Sequence, residues 1–403
     1  MSKAVEVANE PFNPDLELGF NVSYKTGPAK IYASDSSQIL YCTMGTLKKM
    51  AKTKTGLEWM QQYEMIAVDE CHKRSLDLDE GVAYLRDILR KNAGNPAFPL
   101  IVCMSATFDI VKDAEYFGTD PSNSIKVEGG AISREFFYLD ADSTNVFADT
   151  ATLIWKIHTE SGKDDPDTHN DILVFVPGDP DFKKIIGPLE KLDVNKELFF
   201  TKYSSEIDRK NGPERENILY KTLAELRDET KKPNLKRRVT VATPVVETGL
   251  TVNTLKYVVD TCLVKDTAYS PVHGLSQLLT QPCSQSSLEQ RGGRAGRVQF
   301  GYIYRMIREP LATKMEPYSR PDIFTADLSK VLLDMMYAGL DVESVVKPIT
   351  NEMFELFVDE CRDLTSFKLS NKTENCKCMY TDVQDKKSSI VKEKKFLHDI
   401  ILR

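Results

Sequence analysis

No apolar run in this chain approaches the roughly 20 residues that a membrane-spanning helix needs, so no membrane partner is expected. The first residues, Met1-Ser2-Lys3-Ala4-Val5-Glu6, also lack the basic-then-apolar order of a secretory leader. The eight cysteines are scattered, several of them inside apolar runs. That excludes a disulfide framework and implies reduced thiols in an intracellular compartment, with cytoplasm and nucleus equally open. Positive charge is in short supply too: 53 Lys and Arg against 60 Asp and Glu leave a net charge of -7. No global attraction to nucleic acid follows, and any such binding needs a local groove. What is present, 41% hydrophobic and 28% charged residues, describes a soluble globular protein. At 403 residues the chain exceeds one ordinary core, so two or three domains are expected.

The densest chemistry lies in Gln290-Arg291-Gly292-Gly293-Arg294-Ala295-Gly296-Arg297. Its arginines recur at i, i+3 and i+6, which on a helix N-terminus sets at least two guanidiniums on one side. Guanidinium forks suit phosphate oxygens, being always charged and able to bind bidentately. A solvated basic turn is the plainer alternative. Against it, the glycines would weaken an ordinary surface helix for no gain, and they let another backbone approach closely.

Upstream, short apolar runs deliver polar groups at their ends. Ile39-Leu40-Tyr41-Cys42-Thr43 precedes the helical stretch from Met44. There Thr43 and Gly45 offer a hydroxyl and backbone N–H groups, either to a phosphate or simply to a strand-to-helix turn. Met65-Ile66-Ala67-Val68 reads as a buried parallel strand ending in Asp69-Glu70-Cys71-His72. An Asp there can hold Mg²⁺ through its waters, and the following Glu can polarise an attacking water. A helix with Val82, Leu85, Ile88 and Leu89 on one stripe follows. Leu100 to Met104 then forms a second buried strand, delivering Ser105-Ala106-Thr107. Two such strands about 35 residues apart fit an α/β, doubly wound sheet.

In this order the tetrad, the Ser105-Ala106-Thr107 triplet and the arginine octet resemble the DExH/DEAH-box helicases of superfamily 2. The likeness runs from about residue 18 to 340 and adds further pieces. Thr43 and Gly45 resemble that family's RNA-gripping motif Ib, and residues 172–178 resemble its motif IV. Tyr203-Ser204-Ser205 is similar to a short motif that touches RNA phosphates, and residues 242–251 to motif V. The resemblance implies two RecA-like parallel-sheet domains, ATP with Mg²⁺ as cofactors, and RNA as partner, single-stranded or as duplex with an overhang. It further implies that Asp69 holds the metal, Glu70 activates water and His72 couples the nucleotide site to the other domain. Gln290, Arg294 and Arg297 would reach the nucleotide, the two arginines acting as fingers on its γ-phosphate. Glu247, Thr248, Gly249 and Arg291 would join the nucleotide site, with Ser105 and Thr107 linking it to domain motion. Thr43, Gly45, Tyr203, Ser204, Ser205 and Thr243 would face RNA. Pro244 stands where DEAH-box proteins usually carry Asn, which removes one polar contact. Residues 277–287 correspond to a β-hairpin region that can act in relatives as a strand-separating wedge.

One family element is missing. No G-x-x-x-x-G-K-[ST] occurs in the 403 residues, and Gly162-Lys163 leads only to Asp164. The resemblance therefore implies a helicase entered partway through its first domain, with residues 1–133 an incomplete RecA-like unit. Residues 134–312 would be the second RecA-like domain and 313–350, with Pro321, Leu328, Val331, Leu332 and Leu340, the start of a winged-helix domain. Residues 351–403 form a charged tail. An incomplete gene product, a fragment, a viral polyprotein piece or one part of a larger complex would each fit. So would a non-hydrolysing RNA-binding module derived from a helicase. In the tail, Cys361, Cys376 and Cys378 lack the second close pair that zinc requires, and Lys386, Lys387, Lys392, Lys394 and Lys395 read as a solvated face. Lys231, Lys232, Lys236, Arg237 and Arg238 precede the motif V strand and are better candidates for RNA.

Overall fold

The computed structural model describes residues 16–26, 30–32, 37–51, 56–105, 110–127, 133–161, 170–207, 221–247, 254–270, 275–297 and 299–326, with Val7. Of the residues singled out above, Thr107, Thr248 and Gly249 lie outside them, as do the winged-helix residues from Leu328 on and the whole tail. The chain divides into two units. Met1–Ser124, Tyr269–Leu275 and Pro321–Arg403 belong to the first, and Ile125–Ala268 with Ser276–Arg320 to the second.

In the first unit β1 (Val22–Thr26) pairs with β2 (Lys30–Tyr32) antiparallel and with β3 (Ile39–Cys42) parallel. Two of these strands went unread in the sequence, where only the third has a compact apolar signature. Helices α1 (Met44–Ala51) and α2 (Gly56–Met60) follow. Then come β4 (Met65–Val68), α3 (Leu76–Lys91), β5 (Leu100–Cys103) and α4 (Ile110–Phe117). Strands β4 and β5 run parallel, Val68 opposite Cys103. Leu47, Ala51, Met60, Val68 and Leu85 form the core, with Val82 and Ile88 packed on it.

The expectation that both strands are buried on two faces needs correction. Met65 is 54% exposed, Leu100 60% and Met104 41%. A continuous apolar run signals cover on both faces, yet among the described residues β4 and β5 form a two-stranded sheet with the core on one side only.

The second unit is built differently. Strands β6 (Arg134–Tyr138), β7 (Asp171–Phe175), β8 (Leu198–Tyr203), β9 (Arg237–Ala242), β10 (Leu255–Asp260) and β13 (Gly301–Arg305) make one sheet. Its order is β6-β13-β10-β7-β9-β8, every pairing parallel. On one face lie α5 (Val146–Glu160) and α6 (Phe182–Leu192), whose Ile154, Ile185 and Leu189 reach zero exposure. On the other, Ala295 joins Leu173, Val258 and Ile303. The unit also holds α7 (Leu223–Thr230) and most of a two-stranded ribbon of β11 (Leu263–Ser270) and β12 (Leu275–Pro282). Helices α8 (Gln285–Gly292) and α9 (Glu309–Ala312) complete it.

Every residue of β7 and β9 is buried. Amide hydrogen exchange should accordingly be slow across β7, β9 and β10 and fast across β4 and β5, because exchange follows the free energy of local opening. Equal protection of the two sheets in a monomer would mean that the outer face of β4–β5 is covered in solution.

Candidate functional site

Asp69 is exposed where β4 ends, and its Oδ1 accepts the Glu70 N–H at 2.8 Å. Glu70 and Arg74 both occupy the left-handed region, with φ of 60° and 46°. Two non-glycine residues in that region this close together hold the connection in a tight, locally strained turn. Within it the Cys71–Lys73 turn carries His72, whose Nε2 lies 3.0 Å from Glu70 Oε2. The Nδ1 of the same ring is 3.2 Å from Ser105 Oγ. The Cys71 N–H donates to Met104 O at 3.0 Å, joining the two strand ends. Glu70, His72 and Ser105 are thus brought together, and Asp69 stands beside them. The turn is braced from behind. Arg74 Nε binds Asp79 at 2.8 Å, burial pushing that carboxyl up despite the guanidinium, and the Asp322 N–H donates to Arg74 O at 3.0 Å.

In the octet the structure corrects the sequence reading. Helix α8 starts at Gln285, capped by Ser284 accepting the Ser287 N–H at 3.1 Å, and stops at Gly292. The octet therefore spans a helix C-terminus rather than an N-terminus, since paired glycines favour ending a helix over starting one. The three arginines consequently part company. Arg291 has no exposure. Its Nε donates to Glu247 Oε1 at 2.6 Å, and its Nη1 donates to Asp260 Oδ1 at 3.0 Å and Leu263 O at 3.1 Å. Burial opposes its charge, but Asp260 and Glu247 outweigh burial and keep it firmly protonated. It ties α8 to the Pro244–Glu247 turn and to the end of β10. Arg294 donates to Glu247 O, while Arg297 is exposed with its Nε donating to Gly293 O at 3.2 Å. Gln290 is half-buried in the last turn of α8.

Glu247 joins these parts. Its carboxylate accepts from Arg291 and from Ser287 Oγ at 3.2 Å, and its carbonyl from Arg294. The Pro244–Glu247 turn after β9 is thereby fastened to the octet. A closer restraint acts from below. A Cβ on Gly301 would lie 2.7 Å from Gly296 N and 2.8 Å from Ala295 Cβ, so β13 and the octet meet backbone to backbone. Gly296 takes φ +75°, which favours glycine.

The residues read as RNA contacts fall in two places. Tyr203 pairs with Ala242 across parallel β8 and β9, and the Thr243 N–H donates to Tyr203 O at 3.0 Å. Tyr203, Ser204, Ser205 and Thr243 thus share one carboxyl edge of the second sheet. Ser205 is exposed there, but Ser204 is 2% exposed and its Oγ donates to Asp179 at 2.7 Å, so its hydroxyl already serves the loop. Thr43 is exposed, and its Oγ1 accepts the Thr46 N–H at 3.3 Å at the start of α1, with Gly45 in the first turn. Asp260, Ser287 and Asp179 were missed. Asp260 could have been found, because it ends a buried apolar strand just as Asp69 does.

The comparisons bear on this geometry directly. Residues 168–299 match the model of the Helicase conserved C-terminal domain, the stretch holding β7 to β10 and the octet. The "Putative RNA Helicase B962L" of African swine fever virus (isolate Pig/Kenya/KEN-50/1950) is 30% identical over 350 residues, covering 83% of this chain and 36% of the relative. Over the matched stretches the chain is similar to DExH/DEAH-type superfamily 2 helicases. The "ATP-dependent RNA helicase HrpA homolog" of Haemophilus influenzae is 28% identical over 343 residues, 84% of this chain and 24% of that one. The chain therefore spans about a third or less of the length of these curated relatives. The crystal structure of the E. coli DExH-box NTPase HrpB superposes with a TM-score of 0.63 at 24% identity, over 84% of this chain and 38% of that one. This supports the two RecA-like α/β domains.

The basic run leading into β9 also needs correcting. Arg237 and Arg238 are each 1% exposed, and Arg238 Nε binds Asp171 Oδ2 at 2.9 Å. Lys236 pairs with Glu197 at 2.7 Å. These residues sit at the amino end of β9, a six-residue strand away from Thr243, or roughly 17–20 Å. Two cations were needed inside to balance Asp171 and to pack on Tyr257, a requirement the sequence run does not reveal.

Proposed function

We propose that this chain is part of an ATP-dependent RNA helicase of DEAH-like type, a machine that moves along or separates RNA. The reading is carried by one arrangement: His72 held between Glu70 and Ser105 at the carboxyl ends of β4 and β5. In that role Glu70 polarises the attacking water, and His72 passes the position of Glu70 to Ser105 and β5. Arg294 and Arg297, set by the octet turn, stabilise charge on the γ-phosphate. Asp69 offers the exposed carboxylate that Mg²⁺ takes. Bound Mg²⁺ would supply neutralisation of phosphate charge. Single-stranded RNA would lie along the edge formed by Tyr203, Ser205 and Thr243, held by phosphate and sugar with little sequence reading. Thr43 and Gly45 would make a second RNA contact on the first domain.

The absent G-x-x-x-x-G-K-[ST] supports a second reading, a non-hydrolysing RNA-binding module. The 403 residues hold no copy of the motif whose backbone N–H groups cradle β- and γ-phosphates. The chain should therefore show no RNA-stimulated ATP hydrolysis above a Glu70→Gln control, while binding labelled single-stranded RNA with strong salt dependence. Hydrolysis well above the control would mean that another segment serves as the loop. Failure of Tyr203→Ala and Ser205→Asp to weaken RNA binding would remove RNA from that edge.

A further inference from the structure

Five cysteines are described, none of them in a disulfide. Cys262 and Cys283 face each other across the base of the β11–β12 ribbon, the Cys283 N–H donating to Cys262 O at 3.0 Å. They are only 1% and 4% exposed, so a small disulfide does not reach either sulfur of this pair. Cys42 is exposed at the end of β3.

Cys71 and Cys103 differ from all of these. Both are half-buried. Cys103 ends β5 opposite Val68, and Cys71 follows three residues later, its N–H on Met104 O at 3.0 Å and its Sγ donating to Val68 O at 3.3 Å. Both side chains pack on the same Leu47–Val68–Leu85 cluster, with Cys71 fastened by its N–H to the residue that follows Cys103. Adjacency and access coincide only here among the described cysteines.

We infer that Cys71 and Cys103 form a dithiol modification site that takes small disulfides and closes to a reversible intramolecular disulfide inside the tetrad. One thiolate attacks a sulfur of the small disulfide, forming a mixed disulfide and releasing one small thiolate. The second protein thiolate then attacks the cysteine sulfur of that mixed disulfide and expels the other small thiolate. Two protein thiols thereby give up two electrons and two protons, and the small disulfide is reduced to two thiols. The bond ties the Cys71–Lys73 turn to β5. His72 is then clamped beside Ser105 by a covalent link, where otherwise one hydrogen bond and the strand ends hold it. The inference stands on the position of the two thiols and holds whether or not the tetrad serves hydrolysis.

The test uses the full 403-residue chain with oxidised glutathione at mildly alkaline pH, followed by alkylation, proteolysis and mass spectrometry. The expected product joins the peptides bearing Cys71 and Cys103, about 2 Da below the sum of the reduced pair, and dithiothreitol reverses it. Cys71→Ser and Cys103→Ser should each stop at a mixed disulfide on the remaining thiol. Hydrogen exchange at Cys71–Lys73 should slow on oxidation. Separate glutathione adducts on both cysteines of the parent chain would overturn the inference. So would a link from either cysteine to Cys42 or to a tail cysteine, or no reaction at either.

Discussion

Arg291→Ala is expected to destabilise the second unit by about 3–5 kcal/mol, the range for removing one partner of a buried ion pair. The loss would come from what remains behind. Asp260, 1% exposed, and Glu247 would both face a cavity without a cation. Arg291→Lys should fall between, since a single ammonium cannot serve both carboxylates with the geometry of the fork. Urea denaturation gives the cost, and the double variant with Glu247→Ala should lose less than the two single variants combined. A change within about 1 kcal/mol, ordinary for a surface substitution, would return Arg291 to the nucleotide site.

Arg297→Ala should leave stability nearly untouched, because that side chain is exposed and its Nε donates within its own turn, to Gly293 O. Its expected effect lies in chemistry. In a chain supplied in cis with a G-x-x-x-x-G-K-[ST] strand and loop, turnover should fall by about 10³ or more, as for an arginine finger. RNA affinity should stay close to the parent value. An equal loss of RNA binding would move Arg297 from the γ-phosphate to the nucleic-acid groove. Together with Arg291, this variant separates two arginines that look alike in the sequence.

That likeness marks the limit of what the residues alone tell. The tetrad, the octet and the strands before them were legible because buried parallel strands are written as apolar runs with functional groups at their ends. The second domain was legible through residues 172–178 and 242–251, which the structure places on β7 and at the end of β9. Which arginine turns inward was not legible. It depends on Asp260 and Glu247, 31 and 44 residues away, being placed beside one helix turn. Likewise Arg237 and Arg238 read as a basic patch, because nothing local tells that Asp171 waits inside. The one-sided cover of β4 and β5 was hidden for a different reason: an apolar run records a tendency to be buried, not the presence of a neighbour.

The strand order of the second sheet also sets a schedule. Strand β6 has its partner only in β13, Arg134 opposite Gly301, so an edge strand waits for a partner roughly 170 residues further along. At ribosomal rates of about 5–20 residues per second that gap lasts on the order of ten to thirty seconds. During it β10 can pair with β7 but has an open flank, and the octet has no β13 beneath it. The arginine turn is thus among the last parts of the domain to be completed as the chain is made, after the strands that will carry it have already met.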